Sequence, residues 1–303
     1  MKKILFLTLC FSLSVSSYSQ TATDYFTKGF AKDILEDYGG AISDFTKAIE
    51  INPQYAEAYH NRGVAQFKDE NYRGAIDDYT KAIEINPKFA EAYSNRGNAK
   101  TQIKDYRGAI DDCTKAIEIN PQYAEAYYNR GVVKYKAENP IGAMADITKA
   151  IEINPQYAEA YYNRGVAKYK VANSVGAIVD FTKAIEINPE FAKAYYNRGV
   201  AKNNLNDQIG AIADFTKAIE INPQDIKAYF NRGTIKDNLA DYRGAIADYT
   251  KVIEINPQYA EAYCNRGLAK FLIMQKDSGC LDFSKAGELG YAKAYDFIKK
   301  YCK

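Results

Sequence analysis

Residues 90–123 read AEAYSNRGNAKTQIKDYRGAIDDCTKAIEINPQY, and the stretch returns with small changes along the chain. Asn-Arg-Gly begins at Asn61, Asn95, Asn129, Asn163, Asn197, Asn231 and Asn265, always 34 residues apart. Ile-Asn-Pro ends at Pro53, Pro87, Pro121, Pro155, Pro189, Pro223 and Pro257 with the same step. Of the chain's 8 prolines only Pro140 falls outside that series. A fixed period of this size predicts a stack of like units, each unable to bury its apolar face alone.

Each unit contains two helical patterns. In 124–157 the first carries Ala124, Tyr127, Gly131 and Val132, and the second carries Ala143, Ile147, Ala150 and Ile151, spacings that place apolar side chains on one helical face. Between them stands a residue able to cap a helix N-terminus: Asp37, Asn71, Asp105, Asn139, Asn173, Asp207 and Asp241. Pro140 follows Asn139, at a first helical position where a missing N–H costs nothing. The second helix must stop at Asn-Pro, because the residue before proline avoids the α region.

The unit resembles the tetratricopeptide repeat (TPR). Counting from Ala90, Tyr93 stands at the large place 4, Gly97 at the small place 8, Ala109 at place 20, Ala116 at place 27 and Pro121 at place 32. Cys113 occupies place 24, which is usually aromatic. The resemblance implies an all-α, right-handed superhelical α-solenoid. It spans 20–293 as repeats 22–55, 56–89, 90–123, 124–157, 158–191, 192–225, 226–259 and a divergent 260–293. A C-terminal capping helix is expected over 291–303, and the N-terminal end has no comparable cap. Gly97 and Ala109 are expected to let paired helices approach closely. Two places depart from the family. Place 7, usually Leu, is Arg62, Arg96, Arg130, Arg164, Arg198, Arg232 and Arg266. Place 23 is Asp in all eight units, from Asp44 to Asp282. The matched register suggests either an ion-pair ladder between helices or two solvated faces.

Residues 1–19 have the layout of a secretory signal peptide: basic Lys2 and Lys3, an apolar run from Ile4 to Val15, and small residues before a cut ahead of Gln20. Leu7-Thr8-Leu9-Cys10 is a poor match to a lipidation motif. The expected destination is periplasmic or secreted, with no membrane insertion after cleavage. Lys2 and Lys3 account for the whole formal charge of +2, so the exported chain is neutral and offers phosphate backbones no net attraction. Nucleic acid is not an expected partner. Cys113, Cys264, Cys280 and Cys302 would remain. Cys280 and Cys302 are the pair favoured for a disulfide, and free buried thiols are the alternative.

No catalytic constellation, metal set or cofactor motif is legible. His60 is the single histidine and stands at place 5, where Tyr occurs elsewhere. The chain therefore reads as a non-enzymatic interaction scaffold. In the family, first-helix places 2, 5, 6, 9, 12 and 13 line the concave groove. The resemblance assigns place 6 to Asn61, Asn95, Asn129, Asn163, Asn197, Asn231 and Asn265, whose carboxamides could hold an extended peptide backbone bidentately or serve structure. Tyr128, Tyr135, Tyr162, Tyr169 and Tyr196, with Lys136, Lys170 and Lys193, would make the middle of the groove aromatic and basic, suited to a peptide with acidic or aromatic side chains. A rival expectation is a homo-oligomer that stacks through its terminal repeats.

Overall fold

The computed structural model describes residues 21–302, and these form helices and turns without strands. The expected signal peptide and Cys10 lie outside the described residues. Two compact units divide at Pro155/Gln156. The first holds α1 (21–34), α2 (Tyr38–Ile51), α3 (Ala56–Lys68), α4 (Tyr72–Ile85), α5 (Ala90–Gln102), α6 (Tyr106–Ile119), α7 (Ala124–Lys136) and α8 (Pro140–Ile153). The second holds α9 (Ala158–Lys170), α10 (Ser174–Ile187), α11 (Ala192–Asn204), α12 (Gln208–Ile221), α13 (Ile226–Asn238), α14 (Tyr242–Ile255), α15 (Ala260–Leu272), α16 (Lys276–Glu288) and α17 (Lys293–Tyr301). Within each unit the helices pack as antiparallel pairs, and each pair packs on the next through a following first helix, as α4 does on α5 and α12 on α13. This is the all-α class of tandem helical hairpins.

The caps are where the sequence puts them. Side-chain oxygens of Asp37, Asn71, Asp105 and Asn139 in the first unit, and of Asn173, Asp207 and Asp241 in the second, accept from the N–H of the glycine three residues on. Each such cap contributes about 1 kcal/mol. The second helices end at Ile before Asn-Pro. Asn then closes the turn through its own side chain, as Asn52 Oδ1 does for the Gln54 N–H at 3.1 Å.

Hairpins close on a buried place-24 side chain: Phe45, Tyr79, Cys113 and Ile147 in the first unit, and Phe181, Phe215, Tyr249 and Phe283 in the second. Burying a large one contributes roughly 1.5–3 kcal/mol. Place 8 is glycine because of them. A Cβ on Gly63 would lie 2.8 Å from Tyr79, and one on Gly97 would lie 2.8 Å from Cys113 Sγ and 3.0 Å from the Ala109 carbonyl.

One feature has no signal in the sequence. Place 15 is left-handed in every repeat, from Glu36 at φ 61° to Met274 at φ 66°, and only Asn206 is of a type that favours it. The turn is held by backbone bonds such as Asn71 N–H to the Gln66 carbonyl at 2.8 Å. Hairpin closure overrides local preference there, at a cost of about 1 kcal/mol per site.

The last helix begins at Lys293 rather than Tyr291, because Gly290 (φ 88°) breaks the chain after α16. It covers Cys264, Phe283 and Ala286, with Phe297 stacked on Phe283 at 5.3 Å. Cys280 and Cys302 are joined, tying α16 to the end of α17. Cys113 and Cys264 are buried free thiols. Burial first, and neighbouring carboxylates second, push their pKa values up to about 12 and about 11, so neither offers a thiolate nucleophile. At the other end Phe30 and Ile34 of α1 and Leu35 just after it are exposed.

Candidate functional site: the first-helix groove

Two side-chain seams position the first helices, and they differ in kind. The first joins the two places that depart from the family. Arg62 Nε and Nη2 donate to both oxygens of Asp78 at 2.7 and 2.6 Å, and Nη1 donates to Thr46 Oγ1 of the preceding repeat at 3.0 Å. Arg96 with Asp112 and Thr80, and Arg130 with Asp146 and Thr114, repeat this within the first unit. Arg198, Arg232 and Arg266 repeat it within the second. Arg164 grips Asp180 by the same fork. The aspartates are buried, and most take a second cation, as Asp112 does from Lys100 at 2.8 Å. Each Arg also lies over the place-4 Tyr of its own helix, 5.5 Å in the case of Arg164 and Tyr161. The hydrogen bonds to Asp raise the pKa values of Arg62, Arg130 and Arg164, more than burial lowers them. Arg and Asp are therefore partners and not two solvated faces. A forked, buried pair fixes the angle between helices.

The second seam runs along places 5 and 6 of the first helices. Nδ2 of Asn95 lies 3.0 Å from His60 Nε2, and Nδ2 of Asn129 donates to Ser94 Oγ at 3.0 Å. In the second unit Asn197 donates to the Tyr162 hydroxyl at 2.8 Å and Asn231 to Tyr196 at 3.0 Å. Place 6 of one repeat thus reaches place 5 of the repeat before it. Where place 5 is Phe the amide turns elsewhere. Asn61 follows Phe26 and donates to the Glu57 carbonyl at 2.8 Å. Asn265 follows Phe230 and stands close enough to the Tyr249 hydroxyl to lower its pKa. Asn163 is half-buried on α9. A carboxamide has two N–H groups and a carbonyl, and the seam engages one N–H of Asn95, Asn129, Asn197 and Asn231.

The tyrosines are partly structural as well. Tyr162 packs on Phe181 at 5.8 Å and Phe191 at 4.9 Å, and Tyr196 on Phe215 at 5.6 Å. The Tyr169 hydroxyl accepts from Asn204 at 2.6 Å. Tyr128 and Tyr135 are half-buried on α7 beside exposed Lys136, and Lys170 and Lys193 are exposed in the second unit. His60 is a member of the same seam. Its ring packs on Phe89 at 4.8 Å and Tyr79 at 5.7 Å. Burial lowers its pKa to about 4, with Glu91 and Glu57 opposing. With the Asn95 amide donating, Nε2 is the acceptor and the ring is neutral.

The second unit also has a cleft of about 180 Å3 that the sequence did not single out, lined by Val200, Asn203, Phe215, Asn231, Thr234, Ile235 and Asn238. Three of its lining side chains are apolar, three are carboxamides and one is a hydroxyl. The legible signal was a change at places 12 and 13 from Tyr169-Lys170 to Asn203-Asn204 and Asp237-Asn238. Among the described residues no group of three or more His, Cys, Asp or Glu could hold a metal ion, and no helix is long and apolar enough to cross a membrane.

Tandem hairpins with an open face of first helices define a helical-repeat scaffold. The chain belongs to the tetratricopeptide repeat family. One model of the tetratricopeptide repeat matches residues 56–89, 90–123, 158–191 and 192–225, a TPR repeat model matches 34–70, 142–171 and 241–272, and a second tetratricopeptide repeat model matches 215–247. Solved structures agree on the fold. A tetratricopeptide repeat protein from Parabacteroides merdae is 21% identical, with 82% of this chain and 99% of that one covered and a TM-score of 0.59. PilF from Pseudomonas aeruginosa is 17% identical over 73% of this chain and 99% of that one, at 0.62. YrrB, described as a TPR protein with an unusual peptide-binding site, is 30% identical over 61% of this chain and 95% of that one, at 0.48. Among curated proteins none matches.

Proposed function

We propose that this chain is a non-enzymatic scaffold that captures an extended peptide or partner segment along its first helices, and that it works in the periplasm or outside the cell after residues 1–19 are removed. The observation that carries the reading is the cleft of Asn203, Asn231 and Asn238 over Val200, Phe215 and Ile235. The apolar lining takes a side chain, and carboxamides beside it take main-chain N–H and C=O groups on either side. Tyr162, Tyr169 and Tyr196 add aromatic surface in that unit, Lys170 and Lys193 add positive charge, and Tyr128, Tyr135 and Lys136 do the same in the other. Tyr contributes large contact area at low entropy cost. The test is binding to an array of random nonapeptides. The chain should select a subset, and Asn203→Ala/Asn231→Ala/Asn238→Ala should lose at least tenfold in affinity with helicity intact. Unchanged binding would falsify the reading. Mass analysis of the exported protein checks the cut before Gln20.

A second reading has one observation in its favour. Phe30 and Ile34 on α1 and Leu35 in the turn after it are 48%, 65% and 78% exposed, an apolar set on which another copy could stack. Sedimentation should then show a concentration-dependent dimer that Ile34→Ser/Leu35→Ser abolishes. A monomer at all concentrations excludes stacking.

A further inference from the structure

Places 12 and 13 of successive first helices form a stitch of their own. Lys68 Nζ, at place 13 of its repeat, binds Asp33 Oδ2 at place 12 of the preceding one, 2.7 Å away. Asn204 reaches Tyr169 in the same register. In each case place 13 supplies the donor and place 12 the acceptor. Asp237 stands at place 12 of repeat 226–259, and the residue in register with it is Leu272, an exposed side chain with nothing to donate.

Asp237 is half-buried, and no described residue donates a hydrogen bond to its buried Oδ1. Asp33 has one oxygen in the same condition, but Lys68 meets its charge. Burial raises the pKa of Asp237 from its ordinary value. The nearby lysines are engaged elsewhere: Lys236 with Asp248 at 2.8 Å and Lys270 with Asp282 at 2.8 Å. A desolvated carboxylate without a donor is unfavourable in the isolated protein, so a cationic guest has more to gain here than at a solvated acid.

The cleft lies alongside. Thr234, one helical turn before Asp237 on α13, lines the cleft, and the Tyr249 hydroxyl donates to Thr234 Oγ1 at 3.4 Å. The Tyr249 pKa is raised to about 12, chiefly by burial, with the Asp237 charge a smaller contributor, so carboxylate, phenol and cleft wall are neighbours.

We propose that Asp237 and the adjoining cleft form one recognition subsite for an extended peptide that carries a Lys or Arg side chain next to a small apolar one. The apolar side chain enters over Val200, Phe215 and Ile235, and the cationic head donates to Asp237 in place of the missing place-13 lysine. The subsite has the opposite sign to Lys170 and Lys193 in the same unit, so a bound segment of mixed charge is held in one direction. This inference rests on the groove reading above.

The test uses the full chain and an array of matched nonapeptides containing Leu-Lys or Leu-Gln at the centre. Wild type should favour Leu-Lys members at least tenfold. Asp237→Asn should abolish that preference. Leu272→Lys, which recreates the pair made by Lys68 and Asp33, should abolish it too by filling the subsite from within. Matched pairs bound alike, yet lost in the Asn203/Asn231/Asn238 alanine variant, would overturn the subsite and leave the groove reading standing. Binding of no member by any chain would overturn both.

Discussion

The Arg–Asp seam and the Asn seam run through the same repeats, yet they behave differently. The first repeats one fork and one tyrosine under the guanidinium from Arg62 to Arg266, with a threonine hydroxyl of the preceding repeat added at Arg62, Arg96, Arg130, Arg198, Arg232 and Arg266. The second changes partner at each step, from His60 to Ser94 to the tyrosines of the second unit. Fixed chemistry sits where helix angle must be reproduced. Variable chemistry sits along places 5 and 6 of the first helices, the face on which the proposed capture would act.

Breaking the fixed seam should have the largest effect. Arg164→Leu leaves buried Asp180 with Lys168 alone and should lower stability by about 4 kcal/mol in urea unfolding, as removal of one partner of a buried pair does. A change under 1 kcal/mol would mean that the pair is solvated.

After α16 a short helix, α17, packs on the last hairpin and is tied to it by Cys280–Cys302. Cys280→Ser/Cys302→Ser opens a loop with a sequence separation of 22. It should cost about 3 kcal/mol by the chain-entropy model, with the loss confined to α16 and α17 in hydrogen exchange. An equal loss of protection in α13 would show that the end is not a separate cap.

His60 sharpens the comparison, because it brings a titrating group into the variable seam. Below its ordinary pKa of 6.5 the unfolded chain binds a proton that the folded ring refuses until about pH 4. Stability should therefore fall by about 3 kcal/mol as pH drops through that window, at roughly 1.36 kcal/mol per unit. His60→Tyr should remove that part of the acid dependence. A variant with the wild-type profile would place the titration elsewhere. The smallest effect belongs to a single stitch: Asn197→Ala should cost about 1 kcal/mol, with circular dichroism unchanged.

Much of this was legible in the sequence. The period gave the hairpins, Asp37 through Asp241 marked the helix starts, Asn-Pro marked the ends, and the shared register of Arg and Asp anticipated their pairing. What escaped is informative. The third partner of the first seam is a threonine, Thr46 for Arg62, and nothing about a threonine on an amphipathic helix distinguishes a bridge between repeats from a solvated hydroxyl. The left-handed residues carry no mark, since Glu36 and Met274 are not types that prefer that conformation. The sequence leaves the place-6 asparagines either to hold a peptide or to serve structure, and a contact across 35 residues depends on how one helix sits on the next, which the repeat length alone does not supply.

The groove reading meets its most direct test in photo-crosslinking. With a benzoylphenylalanine at Asn238, in the cleft wall, or at Val175, exposed on a second helix, an array-selected nonapeptide should be captured from residue 238 and not from 175. Capture from residue 175 with none from 238 would contradict the account.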